Sequence, residues 1–110
     1  MTEVGLWGRG SSTNVQKVLW TCSLIGLEPK RKIVGGEFGG LGDDAFIALN
    51  PNQTIPVWQD GDFVLWESQA IMRHLARQSG LLYGRSATEA AYVDAWLDWF
   101  AQVFWPPVRL

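Results

Sequence analysis

The chain has 110 residues, 47% hydrophobic and 18% charged, which suits one packed core with or without an appendage. A net charge of −2 with scattered Lys and Arg excludes the basic footprint of a nucleic-acid binder, and no apolar run approaches the roughly 20 residues of a membrane span. The start Met1-Thr2-Glu3-Val4 lacks the pattern of a signal peptide, and the lone Cys22 excludes an internal disulfide and fits a reducing, cytoplasmic setting.

The first element is an apolar strand, Val4–Trp7, followed by Gly8-Arg9-Gly10 and three hydroxyl residues, Ser11, Ser12 and Thr13. Thr13 and Gln16 have the spacing of a capping box, which makes Thr13 the expected N-cap of a helix. Val15, Val18, Leu19, Cys22 and Ile25 recur on one helical face, and Gly26 stops the run. Ser12 then stands just outside a helix N-terminus, where free N–H groups and the dipole favour an anion such as a thiolate.

Glu28–Val34 reads as a short strand, with Pro29 marking an edge position and its three basic residues blunting that edge. The glycine-rich stretch 35–42 is no phosphate loop, because no Gly-Lys-Ser/Thr follows it. Two readings of it weigh equally, a flexible connection and a mobile wall of a ligand site with Phe38 as its lid. Asp43 is placed to cap a short helix that ends at Asn50-Pro51.

Ile55–Gln59 and Asp62–Trp66 form a hairpin around Asp60-Gly61. Glu67-Ser68 opens a helix with Ile71, Met72, Leu75 and Ala76 on its apolar face, ended by Gly80. His74, the single histidine, lies between Arg73 and Arg77 on the expected outer face, without partners at metal-ligand spacing. Leu81–Arg85 reads as a linker. Ser86 and Glu89 form a second capping box, opening a helix expected to run to Trp105 and to be broken by Pro106-Pro107. The order predicts an α/β fold: a thioredoxin-like four-stranded mixed sheet, βαβ-α-ββ-α, with helices on both faces, followed by one long helix.

With those elements in place, the sequence resembles the N-terminal domain of a glutathione S-transferase of the serine type. Ser12 stands six residues before Val18, the spacing of the active serine and first-helix valine in the phi, theta and zeta classes. Asn50-Pro51-Asn52-Gln53-Thr54-Ile55-Pro56-Val57 resembles Asn-Pro-x-Gly-x-Val-Pro, whose proline is cis in that family. Here Gln53 replaces the glycine, and Thr54 stands where Gln, Lys or Arg is common. In the stretch Asp60–Ile71 the family's Glu-Ser pair falls on Glu67 and Ser68.

The resemblance implies the following expectations. Ser12 is the catalytic residue, a hydrogen-bond donor to the thiolate of glutathione. Thr54, Ile55, Pro56, Val57, Glu67 and Ser68 bind glutathione, with the Val57 backbone pairing the cysteinyl backbone, Ser68 meeting the γ-glutamyl carboxylate and Glu67 the ammonium. Ser11, Thr13 and Phe38 are candidate walls. No metal is implied; glutathione is the co-substrate, a small hydrophobic electrophile the partner, and a homodimer the expected assembly. A thiol of pKa ~8.5 is only a few per cent ionised at pH 7, and lowering that by ~2 units requires about 2.7 kcal/mol, within reach of one hydroxyl and a helix dipole. Residues 1–80 are then the glutathione-binding domain, 81–85 the linker, and 86–110 the first helix of an all-α domain expected to be truncated. A second reading is a glutathione-binding or protein-interaction domain without turnover. A glutaredoxin-like oxidoreductase is disfavoured, because no Cys lies near the first helix start.

Overall fold

The structure, a computed structural model, describes residues 3–109. Four strands, β1 (Val4–Trp7), β2 (Lys30–Lys32), β3 (Val57–Asp60) and β4 (Phe63–Trp66), form one sheet in the order β2-β1-β3-β4. The β1–β2 pair is parallel, with Leu6 opposite Arg31, and the other two pairs are antiparallel, with Leu6 opposite Trp58 and Trp58 opposite Leu65. Helices α1 (Thr13–Leu24) and α3 (Ser68–Ser79) pack together, and α2 (Asp44–Leu49) precedes β3. This is the thioredoxin-like arrangement expected from the element order.

Strand alternation assigns the two faces. Leu6 and Trp58 join Val15, Val18, Cys22, Ile71 and Leu75 in the core under α1 and α3. Each fully buried large side chain there contributes about 1.5–3 kcal/mol. Trp7, one residue on from Leu6, turns to the other face, where its ring centre lies 5.9 Å from that of Phe46 in α2 and its indole N–H donates to Gln59 Oε1 at 3.0 Å. Helix α3 ends on Gly80 in the left-handed conformation at φ 73°, as its position after the apolar run predicts.

Several expectations need correction. The N-cap of α1 is Ser12, not Thr13: Ser12 is extended at φ −75°, ψ 126°, whereas Thr13 is already helical. Gln16 does not reach back to the cap but donates from Nε2 to the Gly10 carbonyl at 2.9 Å. Strand β2 is shorter than 28–34, because Pro29 has no N–H to pair and the chain beyond Lys32 bends towards the glycine-rich stretch. The hairpin turn is Gly61-Asp62, with Gly61 at φ 62°, so Asp60 is the last residue of β3. His74 is half-buried rather than outward, its ring centre 5.0 Å from that of Phe63.

The last element is one long helix, as expected, but Pro106-Pro107 do not break it and it contains a wide turn. Helix α4 (Ala87–Trp99) passes into a wide π-helical turn over Phe100–Phe104, marked by the Trp105 N–H bonding to the Phe100 carbonyl five residues back. A short helix α5 (Trp105–Val108) then carries Pro106 and Pro107 in its first turn, where their missing N–H groups do no harm. Val93, Leu97 and Phe100 are half-buried, but Trp96 is 67% exposed, and Val103 and Phe104 are exposed too, so the face expected to be buried is only partly covered. Polar contacts also tie α4 to α3: the Arg73 guanidinium bridges Asp94 and Asp98 at 2.9 Å each, and the Tyr83 hydroxyl donates to Asp94.

Candidate functional site

Three segments converge at one end of the sheet. The first is the loop from β1 into α1. Gly8, at φ 143°, lies so close to its neighbours that a Cβ there would stand 2.5 Å from Val15 Cγ2 and 3.2 Å from Ile55 Cβ. Only glycine lets the loop pass between α1 and the entry to β3. The Gly8 and Arg9 N–H groups bond to the carbonyls of Lys32 and Val34, both at 2.8 Å, and Arg31 Nη2 donates to the Gly8 carbonyl at 2.7 Å. This fixes the start of α1, with Ser12 half-buried and its hydroxyl accepting the Val15 N–H at 3.4 Å.

The second segment is the turn into β3, organised by the fully buried Asn50. Its amide donates to the Thr54 carbonyl at 2.9 Å, and its oxygen accepts from the backbone and side-chain N–H groups of Asn52. Gln53 sits at φ 56°, the left-handed region, which is the physical reason that a glycine suits this position. The Ile55–Pro56 peptide bond is cis, as the resemblance implies. Val57 already lies within the sheet, opposite both Trp7 and Trp66. Ile55 precedes the strand, and its backbone N–H and C=O have no hydrogen-bond partner among the described residues.

The third segment is the N-terminus of α3. Glu67, at φ 77°, holds a backbone conformation costly for a non-glycine residue, and it makes no side-chain cap. Ser68 is 8% exposed, and its hydroxyl lies 3.5 Å from Asn14 Oδ1 across the α1–α3 contact.

Between these segments lie two adjoining cavities. One, of about 350 Å3, is lined by Arg9, Gly36, Leu41, Gln53, Thr54 and Ile55. The other, of about 220 Å3, is lined by Lys17, Gln69, Phe100, Ala101 and Trp105. Asn14, Glu67, Ser68 and Arg109 line both. Thr54, Ile55, Glu67 and Ser68 are therefore brought together. Pro56 and Val57 are buried and do not line it. Ser11, Ser12 and Thr13 stand at the start of α1 beside it, and Phe38, 56% exposed on a 3₁₀ turn (Gly36–Phe38), stands off from it.

Lining residues outside the expected set include Asn14, Lys17, Gln69, Phe100, Ala101, Trp105 and Arg109, and Arg9, which the sequence alone places at the surface, lines the first cavity. Asn14 follows Ser12 by two residues and was legible as a first-turn polar group. Burial pushes the Lys17 ammonium down to about 8, partly offset by the Glu67 carboxylate. A larger hollow of about 770 Å3 lies at the other end of β1 beside α1 and β2 and contains no predicted site residue. Cys22 borders it, but burial pushes that thiol up to about 11, so it is inert at neutral pH. Among the described residues no cluster of three or more His, Cys, Asp or Glu is placed to hold a metal ion, and no helix is long and apolar enough to cross a membrane.

Comparison with known proteins finds a family profile described as glutathione S-transferase, N-terminal domain, matching residues 11–78. Glutathione S-transferase GstB of Escherichia coli (strain K12) is 43% identical over 103 residues, covering 90% of this chain and 50% of the relative. A probable glutathione S-transferase of Oryza sativa subsp. japonica, GSTF1, is 34% identical over 105 residues, covering 89% and 47%. Among solved structures, a theta class glutathione S-transferase from Xanthomonas axonopodis pv. citri with glutathione bound superimposes with a TM-score of 0.89 at 45% identity, covering 94% of this chain and 51% of that one. The chain thus spans about half the length of the curated relatives it matches.

Proposed function

The chain belongs to the glutathione S-transferase family through that family's N-terminal domain, and from this premise we propose that it binds glutathione in the cleft between α1, β3 and α3 and transfers its thiolate to a small hydrophobic electrophile. The observation that carries the reading is the convergence of the unpartnered Ile55 backbone, the Ser68 hydroxyl and the Glu67 carboxylate on one cavity beside the start of α1. The ligand's cysteinyl backbone pairs with Ile55 as an added strand, in place of the Val57 backbone, which already faces two strands. Thr54 flanks that pairing, Pro56 and Val57 support it from beneath, Ser68 and the α3 N-terminus take the γ-glutamyl carboxylate, and Glu67 takes its ammonium.

The thiol then points to the start of α1. The thiol loses its proton to solvent, Ser12 donates a hydrogen bond to the sulfur and, with the helix dipole, holds it as the thiolate, and the thiolate forms the carbon–sulfur bond as the leaving group departs with its electron pair. Ser11 and Thr13 flank this position, and Phe38 stands off from it. The hydrophobic electrophile lies towards Phe100 and Trp105 in the second cavity. In this reading residues 1–80 bind glutathione, 81–85 link, and 86–110 begin a helical unit that pairs with a second copy. The reduced, buried Cys22 suits a cytoplasmic setting.

One observation favours the second reading, a glutathione-binding domain without turnover: the Ser12 oxygen is engaged by the Val15 N–H and does not line either cavity. Titration with glutathione, followed by Trp fluorescence, tests binding. Conjugation of a chloroaromatic electrophile then separates the two readings. A chain that binds glutathione but releases no conjugate is the domain without turnover.

A further inference from the structure

The resemblance leaves one end of the ligand without a partner, since neither Gln53 nor Thr54 carries a charge. We propose that Arg9, in the loop between β1 and α1, is the cation that holds the glycyl carboxylate of glutathione in this chain. The inference rests on the reading that the cleft takes glutathione.

The two ends of the cleft are distinguishable. Glu67 and Ser68, at the start of α3, and Arg109, after α5, line both cavities. Arg9 lines only the cavity that Gln53, Thr54 and Ile55 also line. With the γ-glutamyl group at Ser68 and the cysteinyl backbone on Ile55, the remaining carboxylate falls at the Arg9 end.

The Arg9 side chain is suited to receive it. A guanidinium offers five N–H donors. One is engaged, Nη1 to Ser11 Oγ at 2.9 Å, while Nε is buried and has no partner among the described residues. No carboxylate lies within ion-pair reach of Arg9 among the described residues. A buried donor without an acceptor is costly, and a carboxylate received by the fork of Nε and an Nη satisfies it with two parallel charge-assisted bonds. The glycine-rich stretch makes room for this side chain. Gly36 is at φ 56°, and a Cβ there would stand 2.6 Å from Arg9 Nε and 2.8 Å from its Cδ. The stretch is therefore a seat for Arg9 rather than a bare connection.

The experiment compares glutathione with its glycyl amide, which lacks only the carboxylate charge, by Trp-fluorescence titration. The unmodified chain is expected to bind the amide at least about tenfold more weakly. Arg9→Met is expected to bind both ligands with the weaker affinity, and Arg9→Lys to recover part of the preference. Circular dichroism checks that the variants fold; if Arg9→Met does not, the preference of Arg9→Lys, reduced or intact, decides. An unmodified chain that binds both ligands equally overturns the assignment, as does an undiminished preference in the Arg9 variants, or its loss in Arg109→Met alone. If the unmodified chain binds neither ligand, the glutathione reading itself fails, and the Arg9 assignment falls with it.

Discussion

Lys17 Nζ donates to Gln69 Oε1 at 2.6 Å, and Gln69 Nε2 donates in turn to the Leu97 carbonyl at 2.5 Å, so two side chains tie α1, α3 and α4 together at the rim of the cleft. The ammonium also lies 4.0 Å from the centre of the Phe100 ring. Both contacts draw a strongly hydrated cation out of water, and burial accordingly lowers it from 10.5 to about 8. The unfolded chain therefore holds this proton more tightly than the folded one. Stability rises with pH between about 8 and 10.5, and the burial penalty is fully present below 8. Lys17→Met should flatten the dependence of the urea midpoint on pH across that window. An unchanged slope would mean that Lys17 keeps its ordinary proton affinity.

Ser12→Ala should separate two roles of one hydroxyl. As N-cap it accepts a long bond, so its loss should cost about 0.5–1 kcal/mol of stability, at the low end for a cap. As donor to sulfur, its loss should lower the conjugation rate more than the affinity for glutathione, with less thiolate absorbance in the complex at neutral pH. If Ser11→Ala does this and Ser12→Ala does not, the functional hydroxyl is the preceding one.

Ser68→Ala should weaken glutathione binding by ~1–3 kcal/mol, the loss of a hydroxyl partner for a charged group at a nearly buried position. The Asn14 contact at 3.5 Å is too long to hold that hydroxyl strongly, so it is available to a ligand. Affinity unchanged in the variant counts against the placement of the γ-glutamyl group.

Arg73→Leu should release α4 while leaving the sheet intact. Hydrogen exchange is the readout: amides of 87–99 should exchange faster, and those of β1 and β3 should not change. The Tyr83 hydroxyl, and then Arg73, hold the Asp94 carboxyl below its ordinary value of 3.8. The sign follows directly: this contribution is present above the ordinary carboxylate range and is lost as pH falls through the lower folded value. Acid below the ordinary carboxylate value of 3.8 should therefore loosen α4 before it unfolds the sheet.

The exposed aromatic face should drive self-association. Tyr92 is 68% exposed and Trp96 67%, with Trp99, Val103 and Phe104 also exposed along the same stretch. A patch of this kind is rarely kept by a soluble monomer, and a two-fold pairing of these helices would cover it. Light scattering at micromolar concentration should report a dimer, and Trp96→Glu should shift it towards monomer. A monodisperse monomer of the unmodified chain would sink the idea.

Much of the fold was legible because its signals are local and strong. The alternation of Leu6 and Trp7, the helical stripe from Val15 to Cys22, and the glycines at 61 and 80 each specify their own surroundings. The proline of the cis bond and the Glu67-Ser68 pair were legible only through resemblance, since taken singly each is an ordinary strand edge or helix start. What escaped the reading was non-local. Nothing in the one-dimensional pattern says that Arg9 threads beside Gly36, that Lys17 meets Gln69, or that Arg73 pairs with Asp94 of α4. The three-residue spacing to Gln16 favours Thr13 as the cap by a local rule, whereas the cap at Ser12 depends on where Gly8 and Arg9 are anchored to Lys32 and Val34.

The wide turn at Phe100–Phe104 sets an angular address. Each residue of an ordinary helix advances about 100° around the axis, and a π turn takes in one residue more than an α turn. Everything after Phe104 is therefore out of phase with everything before Trp99, and this lets Trp96 face outward while Trp105 and Arg109 face the cavity. Removing one residue, such as Val103, would restore the common phase and swing Trp105 and Arg109 by more than a quarter-turn away from the cleft. A helix one residue shorter would take Arg109 from both cavities and strip the one beside Lys17 of the Trp105 part of its aromatic wall.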